Sequence, residues 1–195
     1  MKTNAQLTIG VLALQGAVSE HLQQIQQLGA NAIAVKTVEN LTALDGLVLP
    51  GGESTAIGRL MRQYGFIEAI QQFAHQGKGI FGTCAGMILL AKQLMNDEPS
   101  HLNLMDIVVQ RNGFGRQVDS FQTDLRVKGL SQPVPAVFIR APYIKSLDKN
   151  KVEILAEFEG NPVLAKQGKL LACAFHPELT SDLNILQLFL NMLTK

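Results

Sequence analysis

The stretch GIFGTCAGMILL, residues 79–90, places one of the chain's two cysteines between two glycines. A short apolar run leads up to Cys84, and a second apolar run with helical character follows it. This order fits the G-x-nucleophile-x-G elbow, a strained turn from a strand into a helix. Gly82 and Gly86 would relieve the crowding that such a turn creates. We therefore predict that Cys84 is a nucleophile at the carboxyl end of a sheet, where ligands bind in open α/β folds.

The elbow pattern alone leaves a second interpretation open, a buried cysteine that packs like a small apolar residue. If the elbow is real, a helix begins near Ala85, and its free N–H groups and dipole favour a thiolate. The Ala85 N–H is then a predicted oxyanion donor. The loop at 50–55, PGGEST, follows a predicted neighbouring strand, so the Gly52 N–H is a second predicted donor. The loop also fits a helix-capping turn with Ser54 or Thr55 as the cap, and the two roles are compatible.

Strand and helix patterns alternate with short links through the first half of the chain, up to the helix that follows the elbow. This alternation predicts a parallel sheet with helices on both faces. The predicted strands are 7–14, 31–38, 46–49 and 79–81. The predicted helices are 18–28, 54–64, 67–75 and 85–95, the first of them ended by Gly29.

The second half of the chain changes to short strand-like segments separated by turn residues, which predicts added antiparallel strands. The segments are 106–110, 120–127, 136–144, 152–158, 162–167 and 170–175. A last helix is predicted at 183–193, capped by Ser181 or Asp182. The predicted fold is an α/β three-layer sandwich with a central, mostly parallel, flavodoxin-like sheet plus antiparallel strands, in a single domain of residues 1–195.

Composition narrows the classes of function. The net charge is +1 and no basic tract is present, so no nucleic-acid or membrane surface is predicted. The 17% of charged residues lies below the usual ~25%, which indicates either a partner-covered surface or a large buried sheet. Two cysteines form no disulfide framework and no metal spacing, so we expect a reducing, cytoplasmic location without a metal.

A cysteine nucleophile needs a base, and His176 is the best placed of the four histidines. It ends a predicted strand, and Glu178 follows two residues later, on the same side of an extended segment. Glu178 can therefore orient the imidazole and stabilise its protonated form. The sequence predicts a Cys84, His176 and Glu178 triad. The alternative for His-Pro-Glu alone is a turn at a strand end.

The remaining histidines and the second cysteine are predicted to have no catalytic part. His21 and His75 lie in helical stretches, as surface or packing residues, and His101 lies in a loop with no obvious partner. Cys173 precedes His176 by three residues, so a regular strand turns it to the opposite face, as a structural residue.

At this point the chain resembles a known family. GTCAG, a downstream FHPE and an upstream LPGGES resemble the class I, or triad, glutamine amidotransferases. LALQGAVSEH, RNGFGRQVDSF, VFIRAP and FHPELT resemble, more narrowly, the glutaminase subunits of pyridoxal 5′-phosphate synthases. The match covers nearly the whole chain in order. The departures are a few extra residues before Leu7 and the glycine at Gly113, where a side chain is expected.

The resemblance implies a class I glutamine amidotransferase-like fold and a glutaminase that uses no cofactor. Glutamine would be hydrolysed to glutamate and ammonia, and a separate barrel-shaped synthase subunit would use the ammonia, a pentose phosphate and a triose phosphate to make pyridoxal 5′-phosphate. By family analogy, glutamine is bound by Gly51, Gly52, Glu53, Arg111, Ile139 and Arg140. An arginine suits the α-carboxylate through a bidentate pair, whereas the sequence alone favours surface ion pairs for both arginines.

Two competing functions stay open at this level. One is the glutaminase subunit of another amidotransferase, such as imidazole glycerol phosphate synthase, against which RNGFGRQ argues. The other is a noncatalytic, redox-sensing domain of similar fold, which would need Cys84 but neither His176 nor Glu178.

Overall fold

The computed structural model describes residues 2–113 and 120–194. The strands of these residues are β1 Thr8–Leu12, β2 Asn31–Val35, β3 Gly46–Leu49, β4 Gly79–Thr83, β5 Ala91–Leu94, β6 Met105–Gln110, β7 Ser120–Leu125, β8 Val134–Ile139, β9 Tyr143–Leu147, β10 Glu153–Phe158, β11 Asn161–Gln167 and β12 Leu170–Cys173. The α-helices are α1 Val18–Gln27, α2 Ser54–Gln63, α3 Phe66–His75, α4 Ala85–Leu90 and α5 Asn184–Leu193. Short 3-10 helices cover Asn4–Gln6, Val38–Ala43, Met95–Asp97 and Pro177–Leu179.

The central sheet has the strand order β10-β11-β12-β4-β3-β1-β2. The five strands from β12 to β2 run parallel, in the order typical of flavodoxin-like folds, and β11 and β10 extend the sheet through two antiparallel pairings. The predicted α/β class, with a central mostly parallel sheet flanked by helices, is therefore confirmed. Every residue of β3 and β4 is buried, which explains why these strands appear in the sequence as continuous apolar runs.

Two small sheets carry the other added strands. In one, β5 pairs parallel to β6 and β6 pairs antiparallel to β9; in the other, β7 and β8 form an antiparallel pair. The Phe138 ring of β8 lies 5.6 Å from the ring of Phe175, which follows β12 in the central sheet. The hairpin is thereby packed against the end of β12, next to the predicted base His176.

Several predicted elements differ in extent from the observed ones, and two of them differ most. The helix predicted to reach residue 95 ends at Leu90, because the backbone N–H groups of Leu102 and Leu104 bond to the carbonyls of Leu89 and Leu90. The chain then extends as β5. The strand predicted at 136–144 is divided into β8 and β9, because Arg140 adopts a left-handed φ of 43° between them.

The strand predicted at 170–175 also differs from its expected place. It ends at Cys173 and pairs parallel to β4, so it is the fifth parallel strand of the central sheet rather than part of a separate antiparallel region. This pairing brings the residues after β12 beside those after β4. Across the described ranges, none of the helices is long and apolar enough to cross a membrane.

Candidate active site

Cys84 occupies the apex of a strained turn between β4 and α4. Its φ of 48° and ψ of −100° lie outside the regions that most side chains adopt. The two glycines are needed for close packing: a Cβ on Gly82 would lie 2.5 Å from the Gly86 carbonyl carbon, and a Cβ on Gly86 would collide with the Leu49 carbonyl oxygen. The Cys84 N–H donates to the Cys173 carbonyl at 2.7 Å, so the neighbouring strand also fixes the turn. The geometry is that of a nucleophile elbow.

His176 and Glu178 meet at the end of the adjacent strand. The Nδ1 atom of His176 lies 2.6 Å from Oε1 of Glu178, and both residues are buried. The His176 N–H donates to the Val137 carbonyl at 2.8 Å, which ties the residue to β8. The backbone that brings Glu178 to His176 differs from the prediction: Glu178 lies in the Pro177–Leu179 3-10 helix and not in an extended segment. Pro177 at the first position of that turn fits its fixed φ.

The surroundings of this pair shift both pKa values. Burial alone would lower the pKa of His176, but hydrogen bonds to Cys84 and Glu178, and the charges on both, raise the pKa to about 10. Burial alone would raise the pKa of Glu178, but the hydrogen bond with His176 and the charges of His21 and His176 hold the pKa below its usual value. At neutral pH His176 is therefore protonated.

A cavity of about 310 Å³ opens over Cys84 and His176. Its size falls at the lower end of the range typical of small-molecule sites. The cavity is lined by Gln15, Gly52, Glu53, Ser54, Cys84, Ala85, Ile88, Arg111, Asn112, Ile139, Arg140 and His176. Two predicted site residues lie behind this lining: Glu178 sits behind His176, and a Cβ on Gly51 would collide with the His176 ring.

The glycine loop after β3 is held by the loop after β1. The Gly51 carbonyl accepts a hydrogen bond from the Ala17 N–H at 3.1 Å, and the side-chain oxygen of Gln15 accepts one from the Glu53 N–H at 2.9 Å. The predicted cap of the following helix is wrong. Glu53 is the N-cap residue of α2, and its carboxylate accepts from the Thr55 N–H at 3.2 Å.

The predicted glutamine-binding side chains Glu53 and Arg111 pair with each other across the cavity. Arg111 Nη2 lies 3.3 Å from Glu53 Oε1, and Nη1 lies 2.8 Å from Glu98 Oε2. Ile139 contributes its carbonyl, which lies 3.9 Å from the Cys84 sulfur. Arg140 follows with its positive φ, so the backbone turns sharply at the mouth of the cavity.

Sequence reasoning missed His21 and Gln15. His21 has no exposed surface, and its Nε2 atom lies 3.1 Å from Thr83 Oγ1 and 3.6 Å from Glu178 Oε2. Burial is the main cause that lowers the pKa of His21. A signal existed, because His21, Gln24 and Ile25 follow the i, i+3, i+4 spacing of one helix face and are the buried residues of α1.

The other residues set aside from the sequence lie outside the cavity lining. His75 is exposed on α3, and the ring of His101 contacts Arg62 at 3.5 Å, a partner that the sequence did not indicate. Cys173 is fully buried and its sulfur faces the Phe175 carbonyl at 3.3 Å. Burial raises the pKa of the Cys173 thiol well above its usual value.

The motif RNGFGRQVDSF is described only at its two ends, because residues 114–119 lie outside the described residues. Gly113 packs against the ring of Tyr143, and a Cβ atom at position 113 would collide with that ring. Within residues 2–113 and 120–194, no group of three His, Cys, Asp or Glu side chains could hold a metal ion.

With the site's geometry established, comparison with known proteins gives close relatives. The chain matches the SNO glutamine amidotransferase family over residues 11–195. It is 73% identical over 192 residues to the pyridoxal 5′-phosphate synthase subunit PdxT of Pasteurella multocida (strain Pm70), covering 98% of this chain and 100% of that protein. It is 56% identical over 187 residues to the protein of the same name from Niallia circulans, with 96% and 98% covered.

Solved structures agree with these relatives. A structure described as "Crystal structure of glutamine amidotransferase" superposes with a TM-score of 0.91 at 45% identity, covering 96% of this chain and 99% of that one. The "Structure of PurLQS from Thermotoga maritima" gives a TM-score of 0.73 at 15% identity, covering 95% and 98%. At that identity the second likeness concerns the fold alone.

Proposed function

Because the chain belongs to the SNO glutamine amidotransferase family and is the glutaminase subunit of a pyridoxal 5′-phosphate synthase, we propose that Cys84, His176 and Glu178 perform its glutamine hydrolysis. One observation carries this assignment. The strained Cys84 turn and the 2.6 Å pair of His176 and Glu178 converge on one cavity at the carboxyl ends of β4 and β12. The site thus contains a nucleophile, a base and a group that orients the base, arranged one beside the next.

In the first half of the reaction, the Cys84 thiolate attacks the side-chain amide carbon of glutamine. The proton held on His176 passes to the amide nitrogen, the carbon–nitrogen bond breaks, and ammonia leaves a glutamyl thioester. The attack turns the amide oxygen into an oxyanion, which lasts until the carbon–nitrogen bond breaks. The backbone N–H groups of Ala85 and Gly52 stabilise this oxyanion. Both residues line the cavity, which supports their assignment.

In the second half, water attacks the thioester and His176 takes up its proton. The raised pKa of His176 depends partly on Cys84, since the hydrogen bond and charge of the sulfur are among its causes. Acylation removes the negative charge from the sulfur, so the pKa of His176 falls when it must act as a base. The thioester then breaks to free glutamate and return the thiolate.

Substrate binding falls to the polar rim of the cavity. Arg111 pairs with the α-carboxylate of glutamine, and Glu53 pairs with its α-ammonium group. These two contacts replace the one that the Arg111 and Glu53 side chains make with each other at 3.3 Å. The backbone at Gly51, Gly52, Ile139 and Arg140 completes the site. The left-handed φ of Arg140 supports a binding role, because such strain concentrates at ligand-binding positions.

The ammonia passes to a barrel-shaped synthase subunit that makes pyridoxal 5′-phosphate. Two exposed hydrophobic side chains belong to this part of the chain: Ile139, which lines the cavity and is 36% exposed, and Leu179, which follows Glu178 and is 46% exposed. A contact there would keep ammonia from escaping.

We place the protein in the cytoplasm, in keeping with two unpaired cysteines, and treat residues 1–195 as a single domain.

Neither competing function gains support from the site. A redox-sensing cysteine has no need of the buried pair formed by His176 and Glu178. The relatives named pyridoxal 5′-phosphate synthase subunits support the main interpretation over an imidazole glycerol phosphate synthase subunit.

The deciding experiment measures ammonia release from glutamine by the purified chain, with and without a pyridoxal 5′-phosphate synthase subunit, and follows product formation. We expect synthase-dependent hydrolysis coupled to pyridoxal 5′-phosphate. Stimulation by an imidazole glycerol phosphate synthase subunit in its place would contradict the proposal.

A further inference from the structure

The two carboxylate oxygens of Glu178 have different surroundings. Oε1 lies 2.6 Å from His176 Nδ1, whereas Oε2 is buried and makes no hydrogen bond to any residue that the structure describes. The partner nearest to a hydrogen bond is His21, whose Nε2 atom lies 3.6 Å from Oε2. A buried carboxylate oxygen without a donor is costly, so this contact needs a physical explanation.

His21 contacts both arms of the site from the first turns of α1. Its Nε2 atom lies 3.1 Å from the hydroxyl of Thr83, the residue before Cys84, and near Glu178 on the other side. The ring stands edge-on to Phe81, with centroids 6.4 Å apart, and has no exposed surface. Its other nitrogen, Nδ1, has no hydrogen-bond partner among the described residues.

The protonation state of His21 follows from these neighbours. Burial is the largest cause that lowers the pKa of His21, His176 also lowers it, and Glu178 and Glu20 act in the opposite direction, with the net shift downward. The ring is therefore neutral at neutral pH and carries one N–H. Because a carboxylate only accepts hydrogen bonds, a bare Nε2 would face Oε2 with like partial charge. The hydrogen is favoured on Nε2.

We propose that His21 is a positioning residue that holds the Glu178 carboxylate in place by directing its Nε2–H between Oε2 of Glu178 and the hydroxyl of Thr83. The inference rests on the proposed triad, because His21 acts only through Glu178 and touches no reacting atom. A neutral donor suits this task. It fixes the orientation of the carboxylate without cancelling the negative charge that Glu178 supplies to the protonated His176.

The contact matters because few other groups orient the Glu178 carboxylate: besides His176 and His21, its own backbone N–H also acts on it. Rotation about its terminal torsion is broad for a carboxylate, and one hydrogen bond to His176 does not fix the plane. With the N–H of His21 removed, the carboxylate can turn and the imidazole of His176 loses its alignment with the Cys84 sulfur. We therefore expect a loss in kcat with little change in KM for glutamine.

The test compares His21→Leu, His21→Gln and His21→Asn in the complex with the synthase subunit. Gln places an N–H near the position of Nε2, whereas Asn is too short and Leu has no donor. We expect kcat to fall in His21→Leu and His21→Asn by roughly 10-fold, the lower end of the range for a hydrogen bond to a charged group, because the 3.6 Å separation is longer than a hydrogen bond. His21→Gln should retain most of the activity. If His21→Leu does not unfold cooperatively, the matched amides Gln and Asn decide the question.

A double-mutant cycle separates positioning from a general packing role. If His21 acts through Glu178, His21→Leu should cost little further kcat in a Glu178→Gln background. An equal loss in both backgrounds, or a His21→Gln variant as impaired as His21→Asn, would overturn the proposal. His75→Leu serves as the control for an exposed histidine. A wild-type complex that releases no ammonia would instead refute the proposed function, so the two failures are distinguishable.

Discussion

The buried catalytic half of the site and its exposed rim are built in different ways. The catalytic half, as proposed above, comprises Cys84, His176 and Glu178, which are 8%, 8% and 5% exposed. The rim includes Glu53 and Arg111, whose side chains are 56% and 29% exposed. The catalytic half sits at the ends of two adjacent strands of the central sheet, whereas the rim is carried by loops.

This difference separates chemistry from binding. The register of β12 with β4 pairs Cys173 with Thr83, so the next residues on both strands are placed by sheet hydrogen bonds. The ion pair of Glu53 and Arg111 has no such frame and is partly solvated, where its contribution to stability is small. We therefore expect changes in the catalytic half to lower kcat and changes in the rim to raise KM.

The largest effect is expected for the nucleophile. Cys84→Ala should abolish glutaminase activity, with a loss on the order of 10⁶-fold in kcat, because the chemical step has no other nucleophile. Its fold should remain intact, since alanine removes only the sulfur. Ammonia release in the complex and thermal unfolding measure both outcomes. Cys173→Ser is the matched control and should keep most of the activity; the reverse pattern would show that the nucleophile is misassigned.

Glu178→Gln tests whether the charge of the catalytic half acts on turnover. The amide can still accept from His176 but no longer stabilises the imidazolium, so kcat should fall on the order of 10³- to 10⁴-fold. The KM for glutamine should stay near that of the wild type. Steady-state kinetics distinguish the two constants, and a raised KM with unchanged kcat would place Glu178 in the rim.

The rim is tested by Arg111→Ala. Loss of the pair with the substrate carboxylate should raise KM roughly 10- to 100-fold, the range for hydrogen bonds to charged groups, while kcat changes less. Arg59→Ala, at an exposed arginine of α2 outside the cavity lining, is the control and should behave like the wild type. A large fall in kcat at constant KM in Arg111→Ala would erase the distinction between the two halves.

The sequence predicted the turn at Cys84 and its flanking strands better than the loops of the rim for a physical reason. The turn at Cys84 needs glycine at two fixed positions, and the continuous apolar runs of β3 and β4 reflect full burial, so both leave local signals. The strand β8 ends where it does because Arg140 has a positive φ, and an arginine at that position does not predict this conformation. The end of α4 depended on N–H donors more than ten residues later in the chain.

His21 shows the same limit from another side. Its place in a helical stretch predicted either a surface or a packing residue, and the structure buries it completely on one face of α1. Its distance of 3.6 Å from Glu178, more than 150 residues away in the chain, follows from tertiary packing that no local pattern encodes. Similarly, the pairing of Arg111 with both Glu53 and Glu98 required the folded chain.

The smallest expected effect concerns stability and pH, and it sharpens what burial does for the catalytic half. The folded pKa of His176 is about 10, against 6.5 for an ordinary histidine, so the folded protein binds this proton more tightly than the unfolded chain. Its contribution to the free energy of unfolding is fully present below pH 6.5 and is lost as the pH rises to about 10. Glu178, with a lowered pKa, contributes above its ordinary value of 4.5 and loses that contribution as the pH falls.

Denaturant unfolding of the wild type and His176→Asn at several pH values tests this sign. We expect the difference in unfolding free energy between them to shrink steadily from pH 6.5 to 10, because only the wild type releases the His176 proton over that range. In Cys84→Ala, His176 lacks the hydrogen bond and charge of the sulfur, so its pKa in the folded protein should be lower. The contribution of His176 to the free energy of unfolding should therefore be lost at a lower pH than in the wild type. A difference that grows with pH would mean that His176 is neutral in the folded protein, contrary to the raised pKa on which its role as a proton donor depends.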